Sequence, residues 1–154
     1  MEDKRKIVYV DMDDVLVDFQ SGLRKVDPAV RAQYPEGKED DIPGIFALMD
    51  PMPGAIEAFH KLAEKYNVFI LSTAPWNNPT AASDKVAWVK RYLGDVAEKR
   101  LILTHHKYLN KGDYLIDDRP YSHNASLFEG KMIDFGPKNN FPDWPSVLRY
   151  LEVE

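Results

Sequence analysis

Five short runs limit the folds open to this chain. IVYV (7–10), VFILST (68–73), LILT (101–104), YLID (114–117) and KMIDF (131–135) are apolar almost throughout and do not alternate with polar residues. A strand with one solvated face alternates; a strand covered on both faces reads as a continuous apolar run, which is the pattern of a parallel sheet. Stretches with helical spacing lie between the runs. In PGAIEAFHKLAEKY (53–66), Ile56, Phe59, Leu62 and Ala63 share a face. In SDKVAWVKRYLG (83–94), Val86, Val89, Tyr92 and Leu93 form a stripe that Gly94 ends. FPDWPSVLRYLEV (141–153) predicts a short closing helix. Strands interleaved with helices give right-handed crossovers and a three-layer, Rossmann-like α/β fold with a parallel central sheet. Residues 1–154 are the length of one domain with a single substantial core.

Residues 19–52 break the rhythm. They are rich in proline, carry the acidic run EGKEDD, and contain no long strand. Loops between strand and helix are ordinarily a few residues long. The segment therefore reads as a small, mostly helical insertion after the first strand. In open α/β sheets the ligand crevice lies at the carboxyl ends of the strands. An insertion there can shape a pocket or act as a lid.

The strand ends bring chemistry to that crevice. The first ends in Asp11, with Asp13 beyond it, and the second in Ser72 and Thr73. His105, His106 and Lys107 follow the third; the fourth ends in Asp117, Asp118 and Arg119. Carboxylates this dense repel one another unless a cation lies among them. Asp11, Asp13, Asp117 and Asp118 offer hard oxygen ligands suited to Mg²⁺, which keeps waters and takes substrate phosphate. The set points to phosphoryl transfer. Asp11 is the candidate nucleophile, forming an aspartyl-phosphate. Asp13 is the candidate acid and base, which requires the chain to stay extended or turn gently over 11–13. Lys107 would neutralise Asp11 and the phosphoryl oxygens, and Ser72 or Thr73 would donate a hydrogen bond to one of them.

DMDDVLVD, LST, a lysine ten residues before DD, and LIDDR together resemble the four motifs of the haloacid-dehalogenase (HAD) superfamily of phosphohydrolases. PGIFALMDPMPGAIEAF, KVAWVKRYLG, LILTHHKYLNKGDYLIDDRP and FEGKMIDFG resemble, more narrowly, the 5′(3′)-deoxyribonucleotidases of the cytosolic and mitochondrial type and their bacterial relatives. The resemblance implies a HAD fold whose residues 19–52 form a small cap. It implies a Mg²⁺-dependent phosphomonoesterase acting on nucleoside monophosphates. Asp11 would be nucleophile and Asp13 the acid/base. Mg²⁺ would be held by the Asp11 and Asp117 side chains and the Asp13 carbonyl, with Asp118 behind them. Family members hold the base in an aromatic-lined pocket, and by position Phe19, Phe46 and Trp76 are the candidates. Asp14 stands where the family usually has Gly. Another small phosphate ester as substrate is the second reading, and a non-catalytic domain binding metal and phosphate is the third.

Composition is that of an ordinary globular domain and leaves room for a small anionic substrate where a metal ion and a few placed cations offset the acids. The formal net charge is −5 and Lys and Arg are scattered, so binding to long nucleic acid is not expected. No stretch approaches the roughly 20 apolar residues of a membrane span, and the N-terminus lacks a signal-peptide pattern. With no cysteine there is no disulfide or thiolate site, consistent with a reducing cytoplasm. A monomer or homodimer is compatible with the sequence. His105, His106 and Arg119 are expected to be mainly structural, Trp88 and Trp144 to be core, and Asp18 to cap a helix.

Overall fold

The computed structural model describes residues 2–154. Its main sheet has five parallel strands: β1 (Ile7–Val10), β4 (Asn67–Ser72), β5 (Leu101–Leu103), β6 (Tyr114–Asp117) and β7 (Lys131–Asp134), in the order β5-β4-β1-β6-β7. A two-residue pair, β2 (Val17–Asp18) and β3 (Asp50–Pro51), runs antiparallel beside it. Each expected strand is present, with boundaries moved by no more than one residue.

Side-chain parity along the strands explains the layers. Val8, Val10, Val68, Ile70, Ile116 and Ile133 point to one face, where α3 (Ala55–Lys65), α4 (Ala81–Tyr92) and α5 (Trp144–Tyr150) supply Phe59, Leu62, Trp88, Val89, Trp144 and Val147. Tyr9, Leu71 and Leu115 point to the other. There the cover is thin: Ala125 in a 3₁₀ segment (Ser122–Leu127), and Phe128 just beyond it. Both faces of the sheet are thus covered, one by helices and one by a single irregular stretch.

Local chemistry sets the helix ends. Asp143 and Ser146 make a reciprocal capping box for α5. Asp18 accepts from Ser21 N–H at the start of α1 (Phe19–Arg24), as its position suggested, and Asp27 with Pro28 opens α2 (Pro28–Arg31). Residues 19–52 then continue through two 3₁₀ turns, Glu39–Asp41 and Ile45–Ala47. Gly22 lets α1 lie directly on the second turn, because a Cβ there would fall 2.6 Å from Met49 Cγ and 3.2 Å from Ile45 O.

One helical stripe departs from expectation. Val86 is 39% exposed, and the buried face of α4 runs through Ala81, Lys85, Trp88 and Val89. The residues at i, i+3 and i+4 from Lys85 define that face, so a lysine occupies a core position. Trp88 and Trp144 are core, as expected, and each indole N–H donates to a backbone carbonyl, of Met49 and Val15 respectively. Among the described residues no helix is long and apolar enough to cross a membrane.

Candidate active site

The chain builds outward from β1 to β4 and β5, then returns to the other side of β1 for β6 and β7. This reversal opens a crevice beyond the carboxyl ends of β1 and β6. The parallel register sets Val10 opposite Ile116, and Asp11 N–H donates to Ile116 O at 2.9 Å. Asp11 therefore emerges beside Asp117. Lys107, in a 3₁₀ turn after β5, reaches between them, its Nζ 3.0 Å from Asp11 Oδ1 and 2.8 Å from Asp117 Oδ2. Met12 N–H donates to Asp11 Oδ1 and Arg119 N–H to Asp117 Oδ1, which fixes both carboxylates.

Asp118 joins them. Ligand atoms of Asp11, Asp117 and Asp118 all lie within 4.8 Å of one another. Burial, then the charge of Asp117, pushes the Asp11 carboxyl up, against the pull of Lys107 and Lys85. Asp118 is pushed up to about 9 by burial and by Asp11. Lys107 is raised: burial opposes its charge, and Asp11 and Asp117 outweigh that cost. Three carboxyl groups share one lysine, and the raised Asp11 and Asp118 reflect the cost of burying their charges and bringing them together. A hard divalent cation fits this donor set.

Beyond Asp11 the backbone turns through Met12, with the N–H groups of Val15, Leu16 and Val17 all donating to its carbonyl. Asp13 bridges to Val17, so it stays near-extended, two residues from Asp11. Asp14 has φ +59°, the left-handed conformation that glycine adopts at least cost. Its carboxylate accepts from Phe19 N–H at 3.1 Å and its own N–H donates to Val17 O. The side chain thus ties the turn to the start of α1. Burial also raises the Asp13 carboxyl, which Lys85 opposes and Asp11 reinforces.

A cavity of about 550 Å³ covers these acids. Phe19, Trp76, His105, Arg119, Thr73 and the turn Glu39–Asp41 form its walls. Trp76 is 86% exposed and meets His105 edge-to-face at 5.7 Å. Phe46 is not part of this wall. It is buried, packed edge-on against Phe19 and beneath Lys85, among the core side chains. Ser72 is also away from the cavity. It has the parity of Val68 and Ile70, which turns it under α4, where its Oγ accepts from Lys85 at 2.7 Å. Thr73 faces the cavity, its Oγ1 donating to Thr104 O at 2.8 Å.

Residues 19–52 are fastened to the sheet domain. Asn78 is buried and its Nδ2 donates to Asp40 O and Ile42 O, both at 2.9 Å. Gly44 N–H donates to Thr80 Oγ1, and Trp88 Nε1 to Met49 O. These bonds suit a fixed wall better than a swinging lid. Sequence reasoning did not single out Lys85 or Asn78. The signal for Lys85 was a lysine on the apolar face of its helix; Asn78 carried no signal beyond its place in the loop after a strand end.

Comparisons with known proteins bear on the family and the fold. The family described as 5′ nucleotidase, deoxy (pyrimidine), cytosolic type C protein matches residues 38–143. A protein of Vibrio phage KVP40, provisionally named 5′(3′)-deoxyribonucleotidase, is 55% identical over 150 residues, covering 97% of this chain and 86% of the relative. A Bordetella bronchiseptica protein with the same provisional name is 38% identical, covering 92% and 95%. Among solved structures, the HAD-hydrolase YfnB of Bacillus subtilis, described as bound to magnesium, aligns with a TM-score of 0.67 at 12% identity over 98% of this chain and all of that one. A haloacid dehalogenase-like hydrolase of Streptococcus pneumoniae aligns at 0.59 and 13% identity, covering 95% and 90%.

Proposed function

Since the chain belongs to the deoxy (pyrimidine) cytosolic-type 5′-nucleotidase family of phosphoric monoester hydrolases, we propose that it hydrolyses nucleoside monophosphates, deoxy ones by preference, through an aspartyl-phosphate on Asp11. The observation that carries this reading is the meeting of Asp11, Asp117 and Asp118 with Lys107 at the ends of two neighbouring strands.

The steps follow from the residues. An Asp11 carboxylate oxygen bonds to phosphorus as the bond from phosphorus to the nucleoside oxygen breaks. Asp13 gives its proton to that departing oxygen, a role its raised pKa supports. Water then attacks the phosphorus of the aspartyl-phosphate, Asp13 takes a proton from it, and phosphate leaves with Asp11 restored. Lys107 keeps the Asp11 carboxylate in place and opposes charge on the phosphoryl oxygens. Asp11, Asp117 and the Asp13 carbonyl, with Asp118 beside them, would hold Mg²⁺, which would supply positive charge for the phosphate. Phe19 and Trp76 are the apolar surfaces available to a base, and residues 19–52 act as the cap over it.

The test is phosphate release with Mg²⁺ across 5′- and 3′-deoxy- and ribonucleotides and a panel of sugar phosphates, for wild type and Asp11→Asn. Nucleotide turnover by the wild type and none by Asp11→Asn is expected. Turnover of sugar phosphates alone would overturn the substrate; full activity in Asp11→Asn would overturn the nucleophile.

A further inference from the structure

Lys85 is fully buried, and its ammonium is spoken for in three directions. Nζ donates to Ser72 Oγ at 2.7 Å, to Thr73 O at 2.8 Å, and to the Asp13 carboxylate at 3.3 Å to Oδ1 and 3.5 Å to Oδ2. The Phe46 ring lies 4.5 Å below it. An ammonium has three N–H donors, so each acceptor group takes one and the head has no alternative position. Its stem springs from the second turn of α4, whose approach is fixed by Asn78 and Thr80. Lys85 is therefore a rigid strut from a core helix to a carboxylate standing on a turn, one-third exposed to the cavity.

Stability alone gives little reason for it. Burying an ammonium costs several kcal/mol in lost hydration, and replacing a buried ion pair by apolar side chains is often neutral or favourable. A methionine at 85 with a neutral partner at 13 would fill the same space. The lysine makes sense through what it holds, and one end of that strut is the acid of the reaction.

We propose that Lys85 is the positioning residue for Asp13: its Nζ holds the carboxylate from the core side, almost equally near both oxygens, while the rest of the group stays open to the cavity, and through Ser72 and Thr73 it locks that carboxylate to the end of the neighbouring strand. The assignment rests on the reading of Asp13 as acid and base. Lys107 then serves Asp11 and Lys85 serves Asp13, one lysine for each catalytic carboxylate.

The experiment compares kcat and KM of wild type, Lys85→Met, Lys85→Arg, Asp13→Asn and the Asp13→Asn/Lys85→Met double variant. The substrates are a deoxynucleoside monophosphate, whose alkoxide needs a proton to leave, and p-nitrophenyl phosphate, whose phenolate does not. A misplaced catalytic group costs up to about a hundredfold, so Lys85→Met is expected to lose about 10- to 100-fold in kcat/KM on the nucleotide at unchanged KM. The loss should be at least tenfold smaller on the aryl ester, absent in the Asp13→Asn background, and partly recovered in Lys85→Arg. Equal losses on both substrates, or additive losses with Asp13→Asn, overturn the proposal. If Lys85→Met does not fold by circular dichroism, Ser72→Ala carries the comparison. It removes one of the three acceptors and should show the same leaving-group signature at smaller amplitude; wild-type behaviour there overturns the proposal. If Asp13→Asn itself turns over nucleotide like wild type, the acid assignment has failed; if Asp13→Asn is inactive and Lys85→Met is not, only the positioning role has failed.

Discussion

Replacing Lys107 by methionine removes the cation lying 3.0 Å from Asp11 Oδ1 and 2.8 Å from Asp117 Oδ2. Both carboxylates remain buried, and the methionine preserves the stem's packing. Breaking a buried ion pair from one side costs about 3–5 kcal/mol, because the remaining charge has neither water nor partner. Urea unfolding near neutral pH in a chelating buffer should therefore place Lys107→Met lower by that amount. Millimolar Mg²⁺ should reverse more of the loss in the variant than it adds to the wild type, since the ion enters the same cluster without repulsion from the ammonium. At a hundredfold excess over its dissociation constant a ligand adds about 2.7 kcal/mol, enough to recover over half the deficit. Activity should stay depressed with Mg²⁺ present, because the proposed reaction also sets the lysine against charge on the phosphoryl oxygens. Equal stability of variant and wild type in chelator would refute the electrostatic account of the cluster. Equal Mg²⁺ stabilisation of both would show that the ion binds elsewhere.

Three further outcomes follow from the same geometry. In metal-free protein the Asp118 carboxyl is raised from 3.8 to about 9, so the folded state holds its proton more tightly than the unfolded one. Its contribution to stability is thus present below the unfolded value and lost as pH rises towards the folded one; urea midpoints in chelator should fall between about pH 4 and 9, and Mg²⁺ should flatten that slope. Asn78→Ala removes the bonds donated to Asp40 O and Ile42 O and the acceptor of Thr80 N–H, about 1 kcal/mol each, so thermal unfolding should report a loss of about 3 kcal/mol and hydrogen exchange should quicken in residues 38–44. Asp14→Gly trades relief of the left-handed backbone for loss of the bond to Phe19 N–H and should be near neutral, whereas Asp14→Val keeps the strain without the bond and should melt lower than Asp14→Gly, by about 1–2 kcal/mol.

The sequence by itself determined the sheet and most of the acids. Continuous apolar runs cannot be solvated on either face, so five of them, the first three separated by helical patterns, point to a parallel sheet, and the crevice follows from its strand ends. Asp11, Asp13, Asp117 and Lys107 were legible because each sits at or just beyond a strand end, where local position predicts global location. Asp18 as a cap was equally local. Parity along β4 separates Ser72 from Thr73, but which of the two meets the crevice depends on where α4 crosses. The position of Phe46 suggests a pocket aromatic, whereas the 3₁₀ turn bearing it sets the ring against Lys85 of α4. Lys85 lies 72 residues from Asp13, Asn78 lies 36 from Ile42, and neither pairing leaves a trace in a local pattern. Tertiary structure decided these because a buried ammonium or amide takes its partners from whatever the packing of distant elements brings within 3 Å or so, and hydrophobic periodicity records which side of a helix is inside but not what waits there.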